Sequence, residues 1–236
     1  MFACFPVLDK IRWPCRASHN LLIAALLPIL LSAYPGPLAA GAAEKTARLL
    51  VLGDSLSAGY GLPVQQSFTH RLQAALTRSG LRVRVINAGV SGDTSAGGRA
   101  RIAWSLADKP DAVLIELGAN DGMRGLEPAV TKANLDAILN KIRSAGAEAL
   151  LTGMLAPPNL GREYGAEFAA LYPALARSHG VLYYPFFLEG VAARPELNQA
   201  DRIHPNAAGV DIIVQRLLPK VKELLQKARN KKESGG

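Results

Sequence analysis

Residues 47–61 read ARLLVLGDSLSAGYG, an apolar run that ends in a loop of glycine, aspartate and serine. A near-continuous apolar run is typical of a strand in a parallel sheet that helices cover on both faces. Similar runs recur along the chain and predict four further strands. These are Val83–Ala88, Ala112–Leu117, Ala149–Met154 and, with a weaker pattern, Val181–Phe186.

Helical spacing of apolar residues fills the segments between these runs. Gly80, Gly146 and Gly180 stand where three of the helices should end, since glycine readily takes the left-handed conformation that closes a helix. The alternation predicts a three-layer α/β/α sandwich with a five-stranded parallel sheet, which is a flavodoxin-like fold. The predicted helices are Phe68–Arg78, Gly98–Ala107, Pro128–Ser144, Glu163–Ser178 and a last one from about Asn206 to Ala228.

The N-terminal part of the chain has a different character. Residues 1–42 contain a basic start, the apolar run Leu21–Leu31 and a small-residue stretch, which is the order of a secretory signal peptide. We expect cleavage after Ala42 and a periplasmic or secreted product, with an uncleaved anchor as the alternative. Both cysteines, Cys4 and Cys15, lie in this leader. Residues 43–236 show no repeat or linker and are expected to form one domain.

Composition and charge limit the classes of protein and of binding partner that fit this sequence. The chain is 49% hydrophobic and 19% charged, which excludes a disordered protein. Its positive excess is concentrated in the basic C-terminal tail, Lys220–Lys232, where we expect a solvated, fraying helix end and at most weak attraction to an anionic membrane surface. The tail has no aromatic residues, so nucleic-acid binding is disfavoured. We expect a monomer.

Four polar clusters follow the predicted strands or precede the last helix, where a parallel sheet binds its ligands. Taken singly, their residues have ordinary explanations as helix caps or turn residues. Together, a serine, an amide and an aspartate-oriented histidine are the parts needed for acyl transfer by a serine nucleophile. Nucleotide-binding glycine patterns are absent from the sequence. The clusters are GDSLSAGYG at 53–61, NAGVSGDTS at 87–95, ELGANDG at 116–122 and DRIHPN at 201–206.

In this order the four clusters resemble the motifs of the SGNH, or GDSL, hydrolase family, in particular its bacterial thioesterase I/lysophospholipase L1 and arylesterase members. The resemblance spans about residues 48–218. It implies that Ser55 is the nucleophile, His204 its general base and Asp201 the group that orients the histidine. It also implies an oxyanion hole made by the backbone N–H groups of Ser55 and Gly92 and the side-chain amide of Asn120.

The resemblance implies hydrolysis of carboxylic esters or thioesters through an acyl-enzyme, on a small ester or lipid substrate. Acyl esters, aryl esters and lysophospholipids are candidate substrates. The alternatives are a carbohydrate O-deacetylase and, more remotely, a binding module without activity. No cofactor is expected, and the Asp201–His204 pair lacks further ligands for a metal site. We expect five apolar residues to line the substrate crevice: Met123, Leu126, Met154, Leu155 and Leu160. Asp54 and Asp93 are expected to hold their loops through side-chain-to-backbone hydrogen bonds.

Overall fold

Strands form the middle layer of the computed structural model, which describes residues 45–234. The predicted leader and its cysteines lie outside the described residues. All neighbouring strands pair in parallel, in the order β2-β1-β3-β4-β5. This is the predicted flavodoxin-like order. The strands are β1 (Ala47–Gly53), β2 (Val83–Gly89), β3 (Ala112–Glu116), β4 (Glu148–Thr152) and β5 (Leu182–Tyr184).

Helices cover both faces of the sheet. The three helices predicted to end at Gly80, Gly146 and Gly180 do end next to these glycines, and each glycine has a positive φ. Two short helices at the site were not predicted, because four or five residues carry too little periodicity to be recognised. Within the described range the α-helices are α1 (Ser55–Ala58), α2 (Phe68–Arg78), α3 (Ser95–Ser105), α4 (Ala119–Met123), α5 (Pro128–Ser144), α6 (Arg162–His179) and α7 (Ala207–Ser234).

The central strands are buried, as their apolar runs predicted. Every residue of β3 is buried, and so are the last five residues of β1. The parallel register sets Gly53 beside both Gly89 and Glu116. The carboxyl ends of β1, β2 and β3 therefore meet at one edge of the sheet, and the loops that follow them share that edge.

The C-terminal helix corrects the prediction of a fraying tail. Helix α7 continues to Ser234, and its buried face extends to Ala228. Lys231 Nζ lies 2.9 Å from Glu148 Oε1, and Lys232 pairs with Asp111. The basic end is exposed to solvent, as predicted, but it is helical and pairs with carboxylates near the amino ends of β3 and β4. None of the helices described is both long enough and apolar enough to span a membrane.

Candidate active site

Ser55 is the first residue of α1 and directly follows the turn at the end of β1. Asp54 caps this helix, because its Oδ1 accepts the Leu56 N–H at 3.0 Å. A side chain at Gly53 would collide with Ser57 and with the carboxylate of Glu116, so only glycine fits there. The Gly-Asp-Ser sequence therefore makes a tight strand-to-helix turn that sets Ser55 at the carboxyl edge of the sheet. The structure confirms the side-chain-to-backbone hydrogen bond expected of Asp54.

A histidine loop, Asp201–His204, meets Ser55 from the other end of the chain. His204 Nε2 lies 2.9 Å from Ser55 Oγ, and His204 Nδ1 lies 2.7 Å from Asp201 Oδ2. The second oxygen, Asp201 Oδ1, accepts the backbone N–H groups of Ile203 at 2.9 Å and His204 at 3.0 Å. The backbone and side-chain hydrogen bonds from His204 lower the pKa of Asp201 to about 2. The carboxylate beside the imidazole is therefore ionised at neutral pH.

Two residues outside the predicted set hold the histidine in place. The ring of Tyr60 packs against His204 with 4.6 Å between ring centroids. Gln199 Nε2 donates to the carbonyl oxygens of Tyr60 at 2.8 Å and Pro205 at 3.0 Å, which joins the serine loop to the histidine loop. Tyr60 belongs to the first motif, but no local pattern indicates that its partner is His204.

The predicted oxyanion donors differ in how they are engaged. Among the described residues, the backbone N–H groups of Ser55 and Gly92 have no hydrogen-bond acceptor. Gly92 has a φ of +81°, which favours glycine. Asn120 Nδ2 lies 3.0 Å from Asp54 Oδ2 and 2.9 Å from the carbonyl oxygen of Asp93. Its amide hydrogens are thus both used within the protein.

A cavity of about 370 Å³ opens beside Ser55 and His204. Three of the five predicted crevice residues line it. Leu126 and Leu160 are not among the described residues that line it. The Leu126 carbonyl is held by the Tyr164 hydroxyl at 2.7 Å, toward α6. Leu160 lies next to Gly125 instead. The larger apolar side chains in the lining are Leu56, Met123, Met154, Leu155, Phe186, Leu188 and Ile203.

Residues 51–212 match the model of the GDSL-like Lipase/Acylhydrolase family. The chain belongs to this family. It is 46% identical over 178 residues to Esterase TesA of Pseudomonas aeruginosa, covering 75% of this chain and 89% of TesA. It is 45% identical to an Arylesterase of Vibrio mimicus over 70% of this chain and 82% of that protein. It is 43% identical to Thioesterase 1/protease 1/lysophospholipase L1 of Escherichia coli K12, over 67% and 75% of the two chains.

Solved structures agree with this assignment. The crystal structure of TesA matches the fold with a TM-score of 0.72 and 45% identity, over 75% of this chain and 99% of that one. The predicted family, fold class and enzyme class are confirmed. The protein is a serine hydrolase that cleaves carboxylic ester or thioester bonds.

Beneath Ser55 of this GDSL-like hydrolase lies a group of buried polar side chains, here called the floor (Asp54, Ser57, Glu116 and Asn120). Glu116 Oε2 accepts the Ser57 hydroxyl at 2.7 Å and the Asp54 N–H at 3.2 Å. Burial raises the pKa of Asp54 to about 6 and that of Glu116 well above its usual range. The sequence reasoning missed Glu116. Its signal was a carboxylate at the end of an otherwise apolar strand.

Asp93 was expected to hold its loop through hydrogen bonds from the backbone to its side chain, but its carboxylate accepts from the side chain of Arg101 instead. Asp93 Oδ2 accepts from Arg101 Nε at 2.6 Å. The same guanidinium donates to the carbonyl oxygens of Ala88 at 2.6 Å and Gly53 at 2.8 Å. Arg101 thereby ties together the ends of β1 and β2, which the sequence alone did not indicate.

His179 and Trp104 lie outside this site. His179 Nε2 pairs with Asp136 at 2.7 Å, between α6 and α5. Trp104, on α3, is 81% exposed and does not line the cavity. Across residues 45–234 no group of three or more His, Cys, Asp or Glu side chains is arranged to hold a metal ion.

Proposed function

We propose that Ser55, His204 and Asp201 are the catalytic triad of this esterase. The observation that carries the proposal is the continuous hydrogen-bonded path from Ser55 Oγ through His204 to Asp201, with separations of 2.9 and 2.7 Å. An ionised Asp201 accepts the Nδ1–H of His204, so the lone pair of Nε2 faces the serine hydroxyl. That is the tautomer that a general base for Ser55 requires.

In this mechanism His204 Nε2 takes the Ser55 proton as Oγ attacks the acyl carbonyl carbon. The tetrahedral intermediate collapses, the bond to the leaving oxygen or sulfur breaks, and the imidazolium returns its proton to that atom. Ser55 then carries the acyl group. Water attacks the acyl-enzyme, His204 takes the water proton, and collapse of the second intermediate returns it to Oγ and releases the acid.

The negative charge of each intermediate falls on the former carbonyl oxygen. The N–H groups of Ser55 and Gly92 are the first donors to it, because both lack acceptors among the described residues. Asn120 supplies the third by turning one amide hydrogen from its present acceptor, Asp54 or Asp93, toward the oxyanion. Each donor aimed at such a charge contributes about 10²–10³ in rate.

Substrates are proposed from the cavity and from the relatives. The lining is mostly apolar, which supports an acyl chain rather than a sugar ring. The relatives are named as an esterase, an arylesterase and a thioesterase/lysophospholipase. Short acyl esters, aryl esters, thioesters and lysophospholipids are therefore the proposed substrate range, ahead of acetylated carbohydrates.

We also propose that the protein is exported, with residues 1–42 removed, and acts as a monomer without nucleic acid. N-terminal sequencing of the protein from the periplasm or medium should begin at Ala43, and retention of Met1 would contradict cleavage. Weak contact with anionic membranes stays a prediction. The ion pairs of Lys231 and Lys232 reduce the free charge available for it.

Rates on p-nitrophenyl esters from acetyl to palmitoyl, with a lysophospholipid, an acyl thioester and acetylated xylan beside them, test the function. We expect hydrolysis of the acyl esters and a stable adduct with an organophosphonate on Ser55. Ser55→Ala should abolish the adduct, whereas the neighbouring Ser57→Ala should still form it. An adduct that persists in Ser55→Ala would remove Ser55 from the mechanism.

A further inference from the structure

Arg202 has a backbone conformation that its residue type rarely adopts. Its φ is +60°, and among the described residues only Lys109 and Ala193 also have a positive φ without being glycine. Two of these three residues, Ala193 and Arg202, line the active-site cavity. Strained backbone of this kind persists where the surrounding structure imposes it, and it concentrates at functional sites.

The turn around Arg202 explains the positive φ but does not explain why the residue is an arginine. The Arg202 N–H donates to the Gln199 carbonyl at 2.9 Å, and Asp201 Oδ1 accepts the next two backbone N–H groups. These bonds bring Asp201 to His204, so the triad itself imposes the positive φ. Glycine would satisfy the same turn without strain. The side chain of Arg202 therefore needs a separate explanation.

The guanidinium of Arg202 has no internal partner. It makes no hydrogen bond or ion pair with the described residues, and the residue is exposed. The neighbouring carboxylate of Asp201 accepts its hydrogen bonds from Ile203 and His204, and none comes from Arg202. The other titratable groups of the cavity lining are His204 and the fully buried Asp54. Arg202 is thus the one permanent cation in this otherwise mostly apolar lining.

We propose that Arg202 selects substrates that carry a phosphate on the alcohol part of the ester. This inference rests on the proposed function, because that function sets the ester carbonyl at Ser55. His204 protonates the leaving oxygen, so the alcohol lies on the histidine side, and Arg202 lies two residues from His204 on the same cavity. A guanidinium binds phosphate oxygens through two parallel N–H bonds.

The chemistry defines the favoured class as acylated glycerol phosphates. An acyl chain fits the apolar part of the cavity, and the phosphate reaches the guanidinium at its mouth. Neutral acylglycerols lack the anion. Zwitterionic choline esters bring a second cation that competes with Arg202 for the phosphate. Both should be poorer substrates than the anionic class at equal chain length.

The test compares kcat/KM on two esters, 1-hexanoylglycerol 3-phosphate and 1-hexanoylglycerol, below their aggregation concentrations so that surface binding does not contribute. We expect the wild type to prefer the phosphate ester about tenfold, since a hydrogen bond to a charged group in a partly exposed site contributes at the low end of its range. Arg202→Gln should reduce the ratio to about one, and Arg202→Lys should keep part of it. Arg84→Gln, an exposed arginine on β2, is the control and should keep the full ratio.

The ratio decides the proposal even if a variant loses overall activity. A wild-type ratio near one, or an unchanged ratio in Arg202→Gln, overturns the inference and leaves the esterase function intact. Arg202→Gly removes the side chain without backbone strain and must also lose the preference. If the wild type hydrolyses neither ester, that result would instead contradict the proposed function.

Inhibition separates a phosphate-bearing alcohol from free phosphate. Glycerol 3-phosphate should inhibit hydrolysis of the neutral ester by the wild type more strongly than inorganic phosphate does, and this difference should vanish in Arg202→Gln. Equal inhibition of the wild type by the two compounds would show a site for free phosphate, and the substrate assignment would be wrong.

Discussion

The floor and the histidine loop both present carboxyl groups near Ser55, in opposite surroundings. Asp54 and Glu116 of the floor are fully buried, and burial raises the pKa of each. Asp201 of the histidine loop is partly exposed, and the hydrogen bonds from His204 and Ile203 lower its pKa to about 2. The same chemical group is therefore firmly ionised on one side of Ser55 and resists ionisation on the other. The carboxylate of the loop is charged beside His204, and the carboxyl groups of the floor hold the turn at Ser55 in position.

Removing the charge of the histidine loop should have the largest effect. We expect Asp201→Asn to lower kcat by about 10³–10⁴, because a neutral amide no longer fixes the His204 tautomer or stabilises its imidazolium. The midpoint of thermal unfolding should change little. Steady-state kinetics on p-nitrophenyl butyrate measure the effect, and a loss of less than tenfold would show that His204 is oriented by other groups.

Removing the amide of the floor should have the next largest effect. Asn120→Ala should lower kcat by about 10²–10³ while KM changes little, because the oxyanion forms only after binding. The matched control is Asn134→Ala, a buried amide on α5 whose Nδ2 donates to Ser95 at 3.0 Å. It should reduce stability to a similar extent with kcat within about twofold. An unchanged kcat in Asn120→Ala would remove that residue from the oxyanion hole.

The buried charge of the floor should make stability depend on pH. The pKa of Asp54 rises from 3.8 to about 6 on folding, so the folded protein binds more protons between these values. Its free energy of unfolding should therefore fall as the pH rises through this window, by about 2–3 kcal/mol from Asp54.

Urea unfolding at intervals between pH 4 and 7 measures this dependence. Asp54→Asn should flatten the curve, although Glu116 will retain part of the slope. Asp201→Asn should leave the slope in this window unchanged. Folding lowers the pKa of Asp201 from 3.8 to about 2, so this group titrates below the window. Equal slopes in the wild type and Asp54→Asn would mean that Asp54 is not the titrating group.

The smallest effect is expected at Ser57 of the floor. Ser57→Ala removes the hydroxyl that donates to Glu116 Oε2 at 2.7 Å and should lower the free energy of unfolding by about 1–2 kcal/mol. In Ser79→Ala, at the end of α2, the same deletion should change it by less than about 0.5 kcal/mol. Chemical denaturation of the two variants side by side gives the comparison. Equal losses would indicate that the Glu116 hydrogen bond adds no stability.

Local patterns predicted most of the fold because strands and helix ends are encoded locally. The buried run of β1 and the positive-φ residue Gly146 are examples. The length of α7 was missed for a physical reason. Its lysine-rich end is exposed, as the sequence indicated, but Lys231 and Lys232 also pair with Glu148 and Asp111, which are distant in sequence. Ion pairs between distant residues leave no local signal.

For the candidate site as well, the sequence predicted the residues but not all of their contacts. Ser55, Asp201 and His204 were predicted from motifs, and the structure brings them within hydrogen-bonding distance. The contacts of Tyr60 with His204 and of Ser57 with Glu116 were not predicted, since each joins residues that lie far apart in the sequence.

The sequence by itself determined the order of the strands and helices, and it predicted the identity of the reacting groups, because parallel strands carry the loops that follow them to one edge of the sheet. Only the tertiary structure decided which side chains face the cavity, so that Met154 lines it and Leu126 does not. It also decided the charge states of Asp54 and Asp201, because a pKa depends on burial and on donors brought close by folding.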